Sequence, residues 1–426
     1  MIRKAALVVL AALAVAPGCA TYTAKMTDTG VLYYDGAYDL ALGELDELVL
    51  KASEEDIYLY LLERGKVRLA AGEFDSAIVD LQAAERRFDD IEGVVSVGDA
   101  ISSTIVSDAS TEYIPDPHER ILLNTYLVLA YLGADDIAGA RVERNRVIRR
   151  LQDYLGTVTD EDLAPLDVPF ARYVTAVMYE NEGKLDDARI EYSKVEDLYP
   201  EAVPWSSNSH MTELVVLTEL GRAPVKVSVA IRGYFEKRGG ETYGYFTLPG
   251  DGGEMALPIT SSLFSGKDVD YGRVFNFNFP EYVRMPRGAV YARPVIDGVE
   301  AGTAVTLDDL EDTAMEAFGR ELPSILIRAA VRTYLQLFIQ KELDDGAGEI
   351  AGVIAKIFTA AQTADTRSWQ TLPSEVAVFR MEVEPGRHEV QMRYYDARGV
   401  MIDQSGILEV WVGEGKRKIA WMPGPP

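Results

Sequence analysis

The sequence predicts an α+β protein in which an N-terminal α-solenoid of helix pairs is followed by a β-rich, sandwich-like domain with a helical hairpin insert. Three observations predict it. A spacing recurs four times in the first half, the periodicity changes from helical to alternating after residue 205, and a long apolar helical stretch interrupts the alternating region. The expected organisation is a signal segment at 1–18, helical repeats at 19–202 and a β-rich domain at 206–426, with its helical insert at about 306–361.

At the start, Arg3 and Lys4 precede an uninterrupted apolar run at 5–16, and Pro17-Gly18 stand before Cys19. A positive start, a short apolar run and a small-residue junction are the three parts of an export signal. The run is well short of the roughly 20 residues that a membrane-spanning helix needs. Ala16-Pro17-Gly18-Cys19 resembles the lipobox of bacterial lipoproteins. That resemblance implies acylation of Cys19, which becomes the mature N-terminus, and Ala20 in place of Asp implies the outer membrane. Each buried acyl methylene contributes about 0.8 kcal/mol, so a multiply acylated cysteine holds a folded body at the bilayer permanently. Cys19 is the only cysteine, which excludes an intramolecular disulfide and any multi-cysteine zinc site. The chain has 42 Lys plus Arg against 68 Asp plus Glu, a formal charge of -26 that repels phosphate backbones and argues against nucleic-acid binding.

The recurring spacing is Gly36-Tyr38-Ala41-Leu45-Leu48, Gly72-Phe74-Ala77-Leu81-Ala84, Asp135-Ile137-Ala140-Arg144-Val147 and Gly183-Leu185-Ala188-Tyr192-Val195-Pro200. Physically, the Gly or Asp closes the turn between two antiparallel helices. The residue two later starts the second helix, and the alanine sits where backbones approach closely. These features resemble tetratricopeptide repeats, most specifically from Gly183 to Pro200, where Tyr179, Gly183, Ala188 and Pro200 fall on consensus positions. Arg144 occupies a normally apolar place. The turns are 36, 63 and 48 residues apart, so material is inserted beyond a 34-residue unit, above all at 91–118. Such arrays present an inner face to extended peptides or partner helices. Helical spacing puts Lys66, Leu69, Asn124, Tyr173, Glu180 and Asn181 on that face as candidate partner-binding residues.

In the second half, strands are expected at 214–218, 225–231, 273–279, 290–296, 376–383, 388–395, 407–412 and 416–421, separated by Gly, Pro, Asp or Asn. Pro385-Gly386 is a turn signal between two of them. Within the insert, Thr306 with Asp309 reads as a capping box, 322–343 is strongly apolar, and 350–361 is a second amphipathic piece. A hairpin packed across the sheet is the expected arrangement.

Four segments taken together, 119–126, 139–143, 213–217 and 364–373, resemble a family of Gram-negative envelope lipoproteins with tetratricopeptide-like repeats whose activity is not established. The resemblance implies work in envelope or peptidoglycan maintenance.

His118, His210 and His388 are far apart and have no ligand spacing to another histidine or cysteine, so no metal site and no cofactor are expected. No Gly-x-Ser-x-Gly elbow or phosphate-binding loop occurs. Asp365 and Arg367, next to Trp369, fit a charge-assisted structural clasp between the helical insert and the following strand. The reading is a non-enzymatic, lipid-tethered scaffold that grips an envelope protein or peptide in the periplasm. Two alternatives stand beside it. One is a cell-wall or glycan-acting enzyme using carboxylates such as Asp365 or Glu213. The other is a structural subunit of an outer-membrane assembly, signalled by an apolar patch near 322–343.

Overall fold

The computed structural model describes residues 22–95, 112–156, 167–203, 211–248, 253–259, 269–344 and 364–426. The signal segment, Cys19 and the greater part of the 91–118 insertion lie outside them, as does the second helix expected at 350–361.

The N-terminal region is built of helices: α1 (Tyr22–Lys25), α2 (Thr27–Tyr34), α3 (Tyr38–Lys51), α4 (Ile57–Ala70), α5 (Phe74–Val95), α6 (Pro117–Gly133), α7 (Ile137–Gly156), α8 (Pro169–Asn181) and α9 (Leu185–Leu198). Each of the four turns read from the sequence is a left-handed residue, with φ of 72° at Gly36, 77° at Gly72, 57° at Asp135 and 74° at Gly183. The next residue donates its N–H five positions back at every turn: Ala37 to Leu32, Glu73 to Arg68, Asp136 to Tyr131 and Lys184 to Tyr179. This is one helix C-cap used four times, and it sets the second helix of each pair antiparallel to the first. Ala41, Ala77, Ala140 and Ala188 are fully buried, because only a methyl group fits between the paired backbones. Arg144 is accommodated by laying its guanidinium 4.3 Å from the Tyr179 ring centre and 2.7 Å from Glu182.

Thirteen strands are described in the C-terminal half, in three sheets. The first runs β13 (Arg417–Met422), β1 (Glu213–Leu220), β9 (Glu375–Glu382), β8 (Val305–Asp309); β1 and β13 are parallel and the other pairs antiparallel. The second joins β10 (Gly386–Tyr395) to β6 (Tyr291–Ile296), β11 (Met401–Gln404) and β12 (Leu408–Val412), with β7 (Val299–Glu300) beyond β6. The third runs β4 (Glu254–Ile259), β3 (Glu241–Thr247), β2 (Val225–Arg238), β5 (Phe275–Val283).

Among the described residues the insert forms one long helix, α10 (Leu310–Asp344), which packs Leu326, Ala330 and Tyr334 on Phe235 and Phe275 of the third sheet. Thr306, expected in a helix cap, lies in β8, where its hydroxyl donates to Glu375 at 2.8 Å. Asp309 alone caps the helix, accepting the Asp312 N–H at 2.9 Å. The strand persists three residues further than the capping pattern suggested because β8 is paired with β9 up to Asp309.

β1 is the axis of the molecule, and all eight of its residues are buried. Leu214, Val216 and Leu220 share an apolar core with the second sheet, together with Val390, Met392 and Ala292. Val215 and Leu217 belong to the core of the helices, joined by Trp369, Leu372, Val376 and Val378. One hydrophobic core therefore runs across the expected boundary near 202–206.

Candidate functional site

Alternation along β1 puts Glu213 and Glu219 on the side facing the helices. Opposite Glu219 stands Lys66 of α4, fully buried, with Nζ 2.7 and 2.9 Å from the two carboxylate oxygens. The ammonium also donates to Tyr33 Oη at 3.1 Å and to the Thr371 carbonyl at 3.2 Å. It lies 4.5 Å from the ring centre of Tyr126 and 5.2 Å from that of Trp421. Glu219 accepts two further hydrogen bonds, from Tyr126 Oη at 2.7 Å and Trp421 Nε1 at 3.2 Å. Burial pushes the Lys66 pKa down, and the adjacent carboxylate works against that.

A second buried cluster forms where α8 and α9 meet β1, β9 and β13. Arg380 donates to Tyr192 Oη at 2.8 Å, to Glu180 at 3.1 Å and to Glu213 at 3.0 Å, and Arg417 reaches Glu213 at 3.1 Å. Burial opposes ionisation of Glu213, but Arg380 and Arg417 hold its carboxyl below the ordinary range. Tyr173 packs its ring against Tyr192 at 5.2 Å. At the sheet edge, Asn181 pairs with β13 as another strand would: its amide donates to the Arg417 carbonyl at 2.7 Å and accepts the Arg417 N–H at 2.8 Å.

Between the two layers runs a strap, residues 364–374. Glu63 of α4 accepts the N–H groups of Gln370 at 2.7 Å and Thr371 at 3.0 Å, together with Tyr22 Oη at 2.6 Å. Glu119 of α6 accepts the Trp369 N–H at 2.9 Å, and the Trp369 ring sits edge-on to Tyr126. Arg367 binds Asp365 at 2.7 Å, but its second partners are Asp56 at 3.1 Å and the Glu55 carbonyl at 3.3 Å. This clasp thus ties the strap to the start of α4, whereas the sequence placed it between the insert and the following strand.

All six candidate inner-face residues are engaged within the chain. Lys66, Tyr173, Glu180 and Asn181 face the chain's own first sheet, and Leu69 is buried in the shared core. Asn124 points elsewhere: it is buried between helices, donating to Glu85 at 2.5 Å and Glu143 at 2.9 Å and accepting from Arg150 at 2.6 Å. The surface expected to receive an external partner is covered by the β half. Spacing can identify which side of a helix is special, but not what covers it.

One constellation was missed by sequence reasoning. Asp116, His118 and Glu119 at the first turn of α6 place one donor atom each within 4.8 Å of one another. Asp116 caps the helix and Glu119 returns a bond to the Asp116 N–H at 3.0 Å. Lys226 of β2 lies 3.3 Å and Tyr282 Oη of β5 3.2 Å from Asp116 Oδ2, while Tyr113 Oη donates to Glu119. Burial raises the Glu119 pKa, with Asp116 adding to it. Beside these groups is a cavity of about 10 Å³, lined by His118, Glu119, Tyr282, Ser368, Trp369 and Pro373 among others. His118 Nδ1 and Ser368 Oγ are both buried and have no hydrogen-bond partner. The signal was present as Asp-Pro-His-Glu, one helical turn with three donors, but histidine was weighed only against other histidines and cysteines.

No known protein-family model, curated protein or solved structure matches this chain.

Proposed function

We propose that the chain is a lipid-anchored, extracytoplasmic scaffold without catalytic activity, held by Cys19 at the periplasmic face of the outer membrane and serving envelope or peptidoglycan maintenance. The helix pairs form a tetratricopeptide-like array whose inner face is filled by the chain's own sheet, so that array and β half act as one body. An envelope protein partner then meets the outer surfaces.

The observation that carries this reading is the fate of the carboxylates that an enzyme would need. Glu213 is bound by Arg380 and Arg417, and Asp365 by Arg367. A general acid or base must reach substrate, and these are consumed in ion pairs. Among the described residues no helix is long and apolar enough to cross a membrane, and in this reading Cys19 is the tether. Tyr22 opens α1 three residues after Cys19, and a chain spans at most about 3.6 Å per residue. The folded body therefore starts within about 11 Å of an acylated Cys19. Exposed apolar side chains occur on the helices, where Leu50 is 85% exposed, and on the second sheet and its connections, where Trp411 is 71%, Val299 69% and Ile407 61% exposed; the second-sheet group is the contact surface proposed.

The test places a photo-reactive amino acid at position 411, 299 or 407 in the full chain in cells. Cross-linking to a defined envelope protein, together with loss of the Cys19→Ala variant from the membrane fraction, is expected. A Cys19→Ala protein that stays membrane-bound, or unlinked protein at all three positions, defeats the proposal.

A further inference from the structure

We propose that Asp116, His118 and Glu119 form a binding site for one divalent transition-metal ion of the zinc class at the start of α6, beside the strap. The inference goes beyond the scaffold reading and does not depend on it.

Two observations support it. The first is the donor set, one imidazole and two carboxylates with an atom each inside 4.8 Å. Imidazole with carboxylate suits first-row divalent ions, whereas oxygen donors alone would suit calcium or magnesium. The second is the pair of unpartnered buried groups that line the adjoining cavity. His118 and Ser368 are each only 3% exposed, and Nδ1 of the one and Oγ of the other bond to nothing. Buried polar atoms left without partners are costly, so two around one cavity mark a place where a ligand belongs. The cavity, about 10 Å³, is of one-atom size and suits an ion or a single water rather than an organic substrate.

The present bonds leave room for coordination. A carboxylate has about four lone-pair sites. Glu119 uses its oxygens for the Trp369 N–H, the Asp116 N–H and Tyr113, and Asp116 Oδ2 meets Lys226 and Tyr282 only at 3.3 and 3.2 Å. Around an ion with bonds of about 2.0–2.2 Å the three donors must draw together by roughly an ångström, with Ser368 Oγ or a water completing four-coordination. Lys226 is the competitor, a single cation beside two carboxylates. With Ser368 Oγ in the fourth position, the ion ties the start of α6 to the strap.

The experiment uses the full chain stripped with a chelator and then given Zn²⁺ alone, with bound metal counted after desalting and Co²⁺ absorption recorded in parallel. One equivalent is expected, with a rise in thermal midpoint. His118→Gln should weaken binding at least tenfold while its metal-free melting curve stays near that of the parent. Lys226→Met, which keeps all three donors, should tighten binding several-fold, and this arm remains informative even if the His118 variant does not fold. Failure to retain stoichiometric metal, retention indifferent to His118→Gln, or Lys226→Met binding that is unchanged or weaker overturns the site.

Discussion

The two faces of β1 bury the same strand by opposite means. Toward the second sheet it presents Leu214, Val216 and Leu220 to Val390 and Met392, an apolar contact whose stabilisation follows the area removed from water. Toward the helices it presents Glu219 to Lys66, while Glu213 holds Arg380 and Arg417 of the flanking strands, and Arg380 in turn binds Glu180 of α8 at 3.0 Å. Apolar packing is non-directional and specifies the contact by shape and area alone. A buried ion pair is directional: its desolvation cost is recovered only in one geometry. The comparison teaches that the sheet-to-sheet contact supplies driving force, while the helix-to-sheet contact fixes where on the array the sheet sits.

The largest expected effect comes from breaking the polar face at one side. Lys66→Met leaves Glu219 buried with only the neutral donors Tyr126 and Trp421, at a cost of about 3–5 kcal/mol. The double variant Lys66→Met, Glu219→Gln removes both charges and should recover most of that loss in urea unfolding. A double variant as unstable as the single one would refute the role given to the pair. On the apolar face, Leu214→Ala should cost about 2–4 kcal/mol, and no second substitution that merely neutralises charge should restore it.

A smaller effect separates the two kinds of contact by pH. Asn124, Glu85, Glu143 and Arg146 form a polar knot between helices, and burial, reinforced by Glu85, raises the Glu143 pKa to about 7. A carboxyl raised above its unfolded value of about 4.3 keeps its proton longer in the folded state, so stability falls as pH rises from about 4.3 through about 7. Glu143→Gln should therefore be more stable than the parent by about 1–3 kcal/mol at pH 8 and nearly equal at about pH 4. Urea midpoints at both pH values measure it; a gain present equally at both would place the effect outside titration. The apolar Leu214 face should show no such slope.

How much of this was legible follows the same division. The helix pairs were readable because their turns need a left-handed residue and their crossings need alanine, constraints that act locally on Gly36, Gly72, Gly183 and the four alanines. β3 was not, because its inward position Gly244 reads as a breaker. A Cβ there would lie 2.5 Å from the Phe246 ring, so the glycine makes room for a core aromatic inside a strand. β4 was hidden by Pro258, which an edge strand tolerates. Helical spacing offered Lys66, Glu180 and Asn181 as partner-binding positions, and the structure gives each a partner within the chain. Their partners Glu219, Arg380 and Arg417 lie between 153 and 236 residues away, and no local rule connects them.

The finest test of the array concerns the one turn that departs from glycine. Asp135 holds φ of 57° where the other three turns have glycine, and aspartate tolerates that region better than most residues while still meeting its own Cβ. Its side chain is 90% exposed and its nearest cation, Lys418, is 3.9 Å away, so little is lost with it. Asp135→Gly relieves the native strain but frees the unfolded chain, two effects of opposite sign and similar size. Strain relief should exceed the entropy term, giving a gain of about 0.5 kcal/mol. Converting Gly183 to alanine imposes the same strain without aspartate's tolerance and should cost about 1 kcal/mol. Thermal midpoints of the two variants should move in opposite directions; movement in the same direction would mean that the four turns are not interchangeable caps.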